Sequence, residues 1–383
     1  MKKTVLILGA GTGGTTIAKE LKKLVGNEDN IETLEIIVFE KEEKIIFPPY
    51  LLWLMIGKKN PEKAIRRTKE LELTGIKVVI GEIENIDPKN VVVTSNGKEY
   101  KGDFMVISMG TEHSAEDNLK KVGHNFYSLE GATNFYTQLK SFKGGNIAVV
   151  VPSLPYSSPA APYEAVFHIE KFIRDKGLKS KTTISLFTPE KDPNTSTPKI
   201  SAALTEMMKA KEISYFQEHE LLKTDKTHLT FKNGVVYPYE ILAFTPQQNC
   251  PKVIENSVLK GKTGWIDVDF NTLETNFKNV FAIGDITAIK TNKENFLPKA
   301  GVFAQNQGLV VANILANRIE GKESSKKFMG EGEFFIETGD DTAWYTRGNF
   351  YSDSENSLNT SKPKYFWHLS HEWTEKYKTY KYF

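Results

Sequence analysis

The chain has 383 residues, a formal net charge of +2 at pH 7 and one cysteine, Cys250. That length points to two domains, and so small a net charge argues against nucleic acid as a partner. A lone cysteine excludes an intramolecular disulfide and a cysteine-ligated metal cluster, and it suits a reducing, cytoplasmic setting.

Lys3-Thr4-Val5-Leu6-Ile7-Leu8 is an apolar run of strand type, and Gly9-Ala10-Gly11-Thr12-Gly13-Gly14 follows at once. No signal peptide is expected ahead of a chain that opens directly on a strand. Residues 15–24 read as a helix, with Ile17, Leu21 and Leu24 at helical spacing. Strand, glycine turn and helix with G-x-G-x-x-G at Gly9, Gly11 and Gly14 is a phosphate-binding pattern. Gly9 permits the tight turn, Gly11 lets backbone approach a pyrophosphate, and Gly14 lets helix and strand meet closely. The helix N-terminus then points its free N–H groups at the phosphates. A second strand, 34–39, ends in Glu40, placed to accept hydrogen bonds from a ribose. The spacing from Gly14 to Glu40 is long, and 26–30 reads as the loop insertion that accounts for it.

After a charged turn at 41–44 comes Phe47-Pro48-Pro49-Tyr50-Leu51-Leu52-Trp53-Leu54-Met55-Ile56. The proline pair starts a short helix. Its apolar stretch, 50–56, is far too short to span a membrane. It reads either as core, as a wall over a cofactor or as a lip touching a membrane surface. Residues 77–87 read as a strand and bend, and 90–100 as a hairpin about Asn96-Gly97. Residues 103–109 form a strand that closes on Gly110, where such a sheet returns to its ligand. A second buried strand, 144–151, runs into Pro152-Ser153-Leu154-Pro155-Tyr156-Ser157-Ser158-Pro159-Ala160-Ala161-Pro162-Tyr163-Glu164. That turn has prolines where a nicotinamide dinucleotide needs glycines. A helix over 165–176 and strands at 182–187 and 229–231 complete the second unit.

Residues 279–283 form another strand, ending in Gly284-Asp285 at the strand end where ligands bind in open α/β sheets. A helix covers 302–318, and 334–338 pairs with 342–345 as a hairpin. In the tail, Phe366, Leu369, Trp373, Tyr377 and Tyr380 recur at steps of three and four among lysines. This is an aromatic, basic amphipathic helix, destined either for the protein's own body or for a membrane interface.

These stretches resemble the sulfide:quinone oxidoreductase and flavocytochrome c sulfide dehydrogenase branch of the FAD-dependent pyridine nucleotide-disulfide oxidoreductases. The resemblance rests on Gly9-x-Gly11-x-x-Gly14, Pro159-Ala160-Ala161-Pro162-Tyr163-Glu164, Phe281-Ala282-Ile283-Gly284-Asp285 and Pro298-Lys299-Ala300-Gly301-Val302-Phe303-Ala304, with Glu375-Lys376-Tyr377 in the tail. It implies an α/β chain of two Rossmann-like domains plus a C-terminal hairpin and amphipathic helix. The expected division is 1–110 with 266–320 for FAD, 111–265 for the second unit and 321–383 for the tail. It implies FAD held by Gly9, Gly11, Thr12, Gly14, Glu40, Pro48, Gly110, Gly284, Asp285 and Lys299, with no metal. Glu40 would take the adenosine ribose and Asp285 the ribityl chain or pyrophosphate. Lys299 would lie by the flavin's pyrimidine edge, where a cation stabilises the reduced ring, and Phe47-Pro48-Pro49 would cover the ring.

The family attacks sulfide with paired redox cysteines. Their positions fall here at Ser157 or Ser158 and near Phe335 and Ile336, with an auxiliary one near Phe126 or Tyr127. Serine cannot form a persulfide, so electrons are expected from another donor and to pass through FAD to a quinone. Glu164 is the candidate proton handler, or else a carboxylate favoured by the helix dipole. His124, His168 and His219 are the remaining candidates, while His113, His228, His368 and His371 read as surface or tail residues. A type II NADH:quinone dehydrogenase and a non-catalytic flavoprotein subunit of a redox complex are the alternatives, and a second copy of the chain or a redox partner subunit is the protein partner considered. A cytoplasmic protein, peripheral on the membrane, is the expected setting.

Overall fold

Strands made of unbroken Val, Ile and Leu runs have no polar face for water, so they belong in parallel sheets covered on both sides. The computed structural model of the chain describes residues 2–25, 34–193, 198–291, 296–352 and 357–382, and it contains two such sheets. The loop insertion expected at 26–30 lies outside the described residues. The chain begins with β1 (Lys3–Leu8), α1 (Thr12–Val25), β2 (Leu34–Glu40), α2 (Pro49–Leu54), β3 (Lys77–Ile80) and β4 (Phe104–Ile107). It continues through β5 (Gly145–Val150), α3 (Ala161–Asp175), β6 (Thr182–Phe187) and β7 (Ile241–Phe244). Then come β8 (Val280–Ala282) and α4 (Gly301–Ile319), and last β9 (Glu331–Glu337), β10 (Ala343–Asn349) and α5 (Tyr365–Tyr382).

The first sheet has the order β8-β4-β1-β2-β3, all parallel. Val5, Leu6, Ile7 and Leu8 of the central β1 are fully buried. The second sheet places β5 between β7 and β6, with short flanking strands at His124–Asn125 and Ser214–Phe216, again all parallel. Strand 229–231 is the exception to expectation. It sits in a separate antiparallel sheet, between Leu221–Thr224 and Val236–Pro238. Its side chains alternate, with Leu229 and Phe231 buried and His228 exposed, which is the pattern of a one-sided strand.

Helix α1 starts at Thr12, earlier than periodicity alone indicates, because two of its glycines are contact points. A Cβ at Gly14 would stand 1.9 Å from the Gly9 carbonyl oxygen, and one at Gly13 2.7 Å from Ile283 Cδ1. A Cβ at Gly308 would stand 3.2 Å from the Gly13 carbonyl, so α4 crosses α1 at close range. The two helices therefore begin at the same edge of the first sheet, at the carboxyl ends of its strands. The expected hairpin forms as β9 and β10, with a third strand at Leu358–Thr360. Its turn is pinned to α3 and the second sheet's helices: Asp340 pairs with Arg174 and Lys211, and both of these also hold the buried Glu170.

Candidate functional site

A cavity of roughly 490 Å³ lies over the carboxyl end of β1, between α1, α4, the proline-rich turn and the C-terminal hairpin and helix. Gly9, Gly11 and Thr12 form its floor. Gly9 has φ +99°, and a Cβ on it would meet Ser108 O at 2.6 Å, so only glycine serves there. A Cβ at Gly11 meets nothing within 4 Å, and the same holds for Gly110 at φ +65°. Backbone at Gly11 thus faces open space, the cradle a pyrophosphate needs. Glu40 lines the cavity at the end of β2, with Oε2 accepting the Ala10 N–H at 2.8 Å. Its carboxylate is thereby fixed beside the phosphate loop, as ribose recognition requires.

Asp285 sits at the far side, half-buried, with Oδ2 accepting from Ser157 Oγ at 3.0 Å. Burial pushes its carboxyl up, against the opposing pull of Lys299 and Ser157. Gly284 holds φ +72° and donates its N–H to Gln307 Oε1 at 2.7 Å, which sets the turn carrying Asp285. Lys299 departs from the expected placement. Pro298 and Ala300 line the cavity, but the Lys299 ammonium turns aside. It donates to the backbone carbonyls of Asp285 and Thr287 and lies 3.5 Å from the centre of the Trp265 ring. Burial lowers its pKa to about 8 despite Asp285. Lys299 therefore braces the Asp285 turn from behind.

Phe47, Pro48 and Pro49 line the cavity, and Trp53, Leu54 and Met55 are buried, so the apolar stretch serves as core and as wall together. The three places expected to carry thiols converge on this cavity as Ser157 and Ser158, Phe126 and Tyr127, and Phe335. Cys250 is buried outside the lining, and burial raises its thiol to about 11. Glu164, in the first turn of α3, lines the cavity and is buried. Burial, reinforced by Glu337 and Glu375, drives its pKa well above the carboxylate range.

The histidine assignment needs correction. His368 and His371, taken as tail residues, are buried, because α5 docks through its polar face. Their Nδ1 atoms lie 2.8 and 2.7 Å from Glu337 Oε2 and Oε1 at the end of β9. Burial works to raise the Glu337 pKa, but bonds from both imidazoles hold it at about 2. His371 lines the cavity, as does His113. His168 is buried, its ring nitrogens have no hydrogen-bond partner among the described residues, and desolvation lowers its pKa to about 4. The opposite face of α5 is bare: Phe366, Leu369, Trp373, Tyr377 and Tyr380 are all exposed, Trp373 at 67% and Tyr380 at 89%.

In the second unit, Glu190 follows β6 as Glu40 ends β2. Here the carboxylate is closed off. It accepts from Tyr156 and Tyr163 hydroxyls at 3.0 and 2.8 Å and from Thr188 Oγ1 at 3.0 Å. Tyr156 comes from the proline-rich turn and Tyr163 from the first turn of α3. No group of His, Cys, Asp and Glu able to hold a metal occurs among the described residues.

A parallel five-stranded sheet, a glycine phosphate loop, a ribose-placed carboxylate and a second Rossmann unit together define a two-unit dinucleotide-binding oxidoreductase. The family model for pyridine nucleotide-disulphide oxidoreductases matches residues 3–308, and the chain belongs to that family. It is accordingly an FAD-dependent oxidoreductase. It is 28% identical over 331 residues to the mitochondrial sulfide:quinone oxidoreductase of Mus musculus, covering 81% of this chain and 71% of that one. It is 23% identical over 341 residues to the sulfide-quinone reductase of Aquifex aeolicus, covering 83% and 77%. The solved structure of the sulfide:quinone oxidoreductase from A. aeolicus superposes with a TM-score of 0.85 at 19% identity, covering 98% of this chain and 90% of that one.

Proposed function

We propose that the protein passes electrons from a donor other than sulfide through FAD to a quinone, working at a membrane surface. The observation that carries this reading is the double role of α5. His371, Glu375 and Lys378 on one face wall the cavity, while the aromatic stripe on the other stands in solvent. An exposed aromatic stripe flanked by lysines suits the lipid interface, and it places a lipid-soluble acceptor beside the cavity. No helix among the described residues is long and apolar enough to cross a membrane.

FAD supplies reversible two-electron transfer when bound. The chain's own residues hold, shield and protonate. Gly9, Gly11 and Thr12 take the pyrophosphate, with Gly14 packing helix on strand behind them, Glu40 takes the ribose, and Asp285 the far end, steadied by Lys299 from behind. Gly110, Gly284 and Pro48 shape the backbone and wall around it. Glu164, its pKa driven up by burial, is the proton handler on the side of the proline-rich turn. The donor side offers hydroxyls and rings where the relatives named above are expected to carry thiols, which supports a donor other than sulfide. The Glu190–Tyr156–Tyr163 closure supports the absence of a nicotinamide partner.

Anaerobic titration of the yellow protein with sulfide, NADH and NADPH tests this. Sulfide should give no cysteine–flavin charge-transfer band, and reduced protein should be reoxidised by decylubiquinone. A charge-transfer band with sulfide would refute the donor assignment. Rapid bleaching by NADH would move the protein to the NADH dehydrogenases.

A further inference from the structure

The C-terminal wall of the cavity carries titratable groups that flavin binding does not use. Glu337 is buried at the end of β9, and each of its oxygens faces one histidine of α5. The His371 ring is locked in place. It stacks on Phe335 at 4.9 Å and 17° and leans on Trp53 at 5.1 Å. With Nδ1 committed to Glu337, Nε2 is the ring nitrogen His371 has left for the cavity it lines. Glu375, one turn along, has Oε1 3.9 Å from that Nε2, while its Oε2 is buried with no hydrogen-bond partner among the described residues. Lys378 Nζ stands 3.8 Å from Glu375 Oε1 and reaches solvent. Both residues line the cavity.

We propose that His371 is the proton donor to the electron acceptor in this cavity, aimed by Glu337 and reloaded through Glu375 and Lys378. This rests on the quinone reading above. A quinone becomes a hydroquinone by taking two electrons and two protons. Reduced flavin, when bound, would supply both electrons and one proton. The second proton leaves His371 Nε2 and bonds to a quinone oxygen. His371 is left neutral, still donating from Nδ1 to Glu337, and takes its replacement proton at Nε2 from water by way of Glu375 and Lys378. Glu337 is a positioning residue: an ionised carboxylate on Nδ1 fixes the tautomer and stabilises the imidazolium. His368 on the other oxygen helps keep Glu337 ionised.

The titratable groups placed against His371 are Glu337 from β9, which it shares with His368, Glu375 from its own helix, and His168 from α3. Burial lowers His168 to about 4, and Glu337 is the carboxylate in direct hydrogen-bonding contact with the His371 imidazole.

Two measurements on the FAD-loaded protein test the proposal. In the resting oxidised protein, saturating decylubiquinone should shift the His371 Nε2 resonance in histidine-selective 15N NMR, assigned with His371→Asn. In stopped flow, photoreduced His371→Asn should react with decylubiquinone roughly a hundredfold more slowly than wild type. Ferricyanide takes electrons without protons, so its rate should stay within about twofold. Glu337→Gln should slow the quinone reaction while leaving the ferricyanide rate within about twofold, a split that a merely structural loss would not give. An unmoved Nε2 resonance would overturn the proposal, and so would a wild-type quinone rate and pH profile in His371→Asn; either leaves the acceptor reading intact. Wild-type protein that reacts with ferricyanide but not with quinone would remove the acceptor reading, and His371's role with it.

Discussion

Gly11 and Gly14 stand three residues apart in one motif, yet the structure gives them separable jobs, and paired alanine substitutions should separate them. A Cβ at Gly14 falls 1.9 Å from Gly9 O and 2.7 Å from Ser108 Oγ, with backbone as its nearest neighbour. Neither strand nor helix can yield cheaply, so Gly14→Ala should cost about 3 kcal/mol, the upper end of overpacking penalties. In a chain of this size that lowers the melting temperature of flavin-free protein by on the order of 5 °C. A Cβ at Gly11 meets nothing within 4 Å. Gly11→Ala should leave the flavin-free melting temperature unchanged to about a degree. It should instead displace the pyrophosphate from the backbone, losing about 1.5–3 kcal/mol, or roughly tenfold to a hundredfold in FAD affinity. Differential scanning fluorimetry of apoprotein and calorimetric titration with FAD measure the two effects. Wild-type FAD affinity in Gly11→Ala would mean that the coenzyme does not lie on this loop. An unshifted melting temperature in Gly14→Ala would mean that close strand–helix contact is not what that glycine provides.

Glu40→Ala should weaken FAD binding by about tenfold but leave FMN binding unchanged, because FMN lacks the adenosine ribose; comparative titrations of the two flavins decide this. Trp373→Ser with Tyr377→Ser should reduce flotation with anionic liposomes by at least about tenfold at unchanged flavin content. This pair is a cleaner probe than removing α5, which would strip Glu337 of both histidines. The acid limb of stability should also carry the mark of Glu337. Its folded pKa of about 2 lies below the ordinary 4.5, so its contribution is present above 4.5 and lost as pH falls toward 2. His368 is raised above 6.5, so its contribution is present below 6.5 and lost as pH rises through the folded value. Melting temperature against pH should therefore lose slope on both sides in Glu337→Gln.

The phosphate loop was readable in the chain because its glycines answer a backbone demand that no other residue meets. The strand ends at Glu40 and Asp285 were readable for a related reason: parallel strands finish where ligands sit. The tail shows where such reading stops. Spacing revealed the aromatic stripe, and periodicity ordinarily turns such a stripe inward. Here a buried carboxylate on β9 draws the polar face of α5 inward, and that partner lies far away in sequence. The positions 368, 371, 375 and 379 do recur at steps of three and four, so the second stripe was visible, but nothing local announced Glu337 as its destination. Glu190 was missed likewise, though it lies just past its strand, since the tyrosines that cap it arrive from a turn and a helix elsewhere. Lys299 was placed by likeness, and its stem turns toward carbonyls and Trp265, contacts that only packing reveals.

The edge position of β8 bears on how the polypeptide acquires its shape. That strand completes the first sheet against β4, yet everything from 108 to 279 is threaded between them. Bringing such distant segments together from a disordered coil is slow and entropically unfavourable. A middle portion that condenses early would draw its two ends together and shorten the effective closure. The amino-terminal sheet would then be the last to finish, and ordering of the coenzyme would report the final stage of maturation.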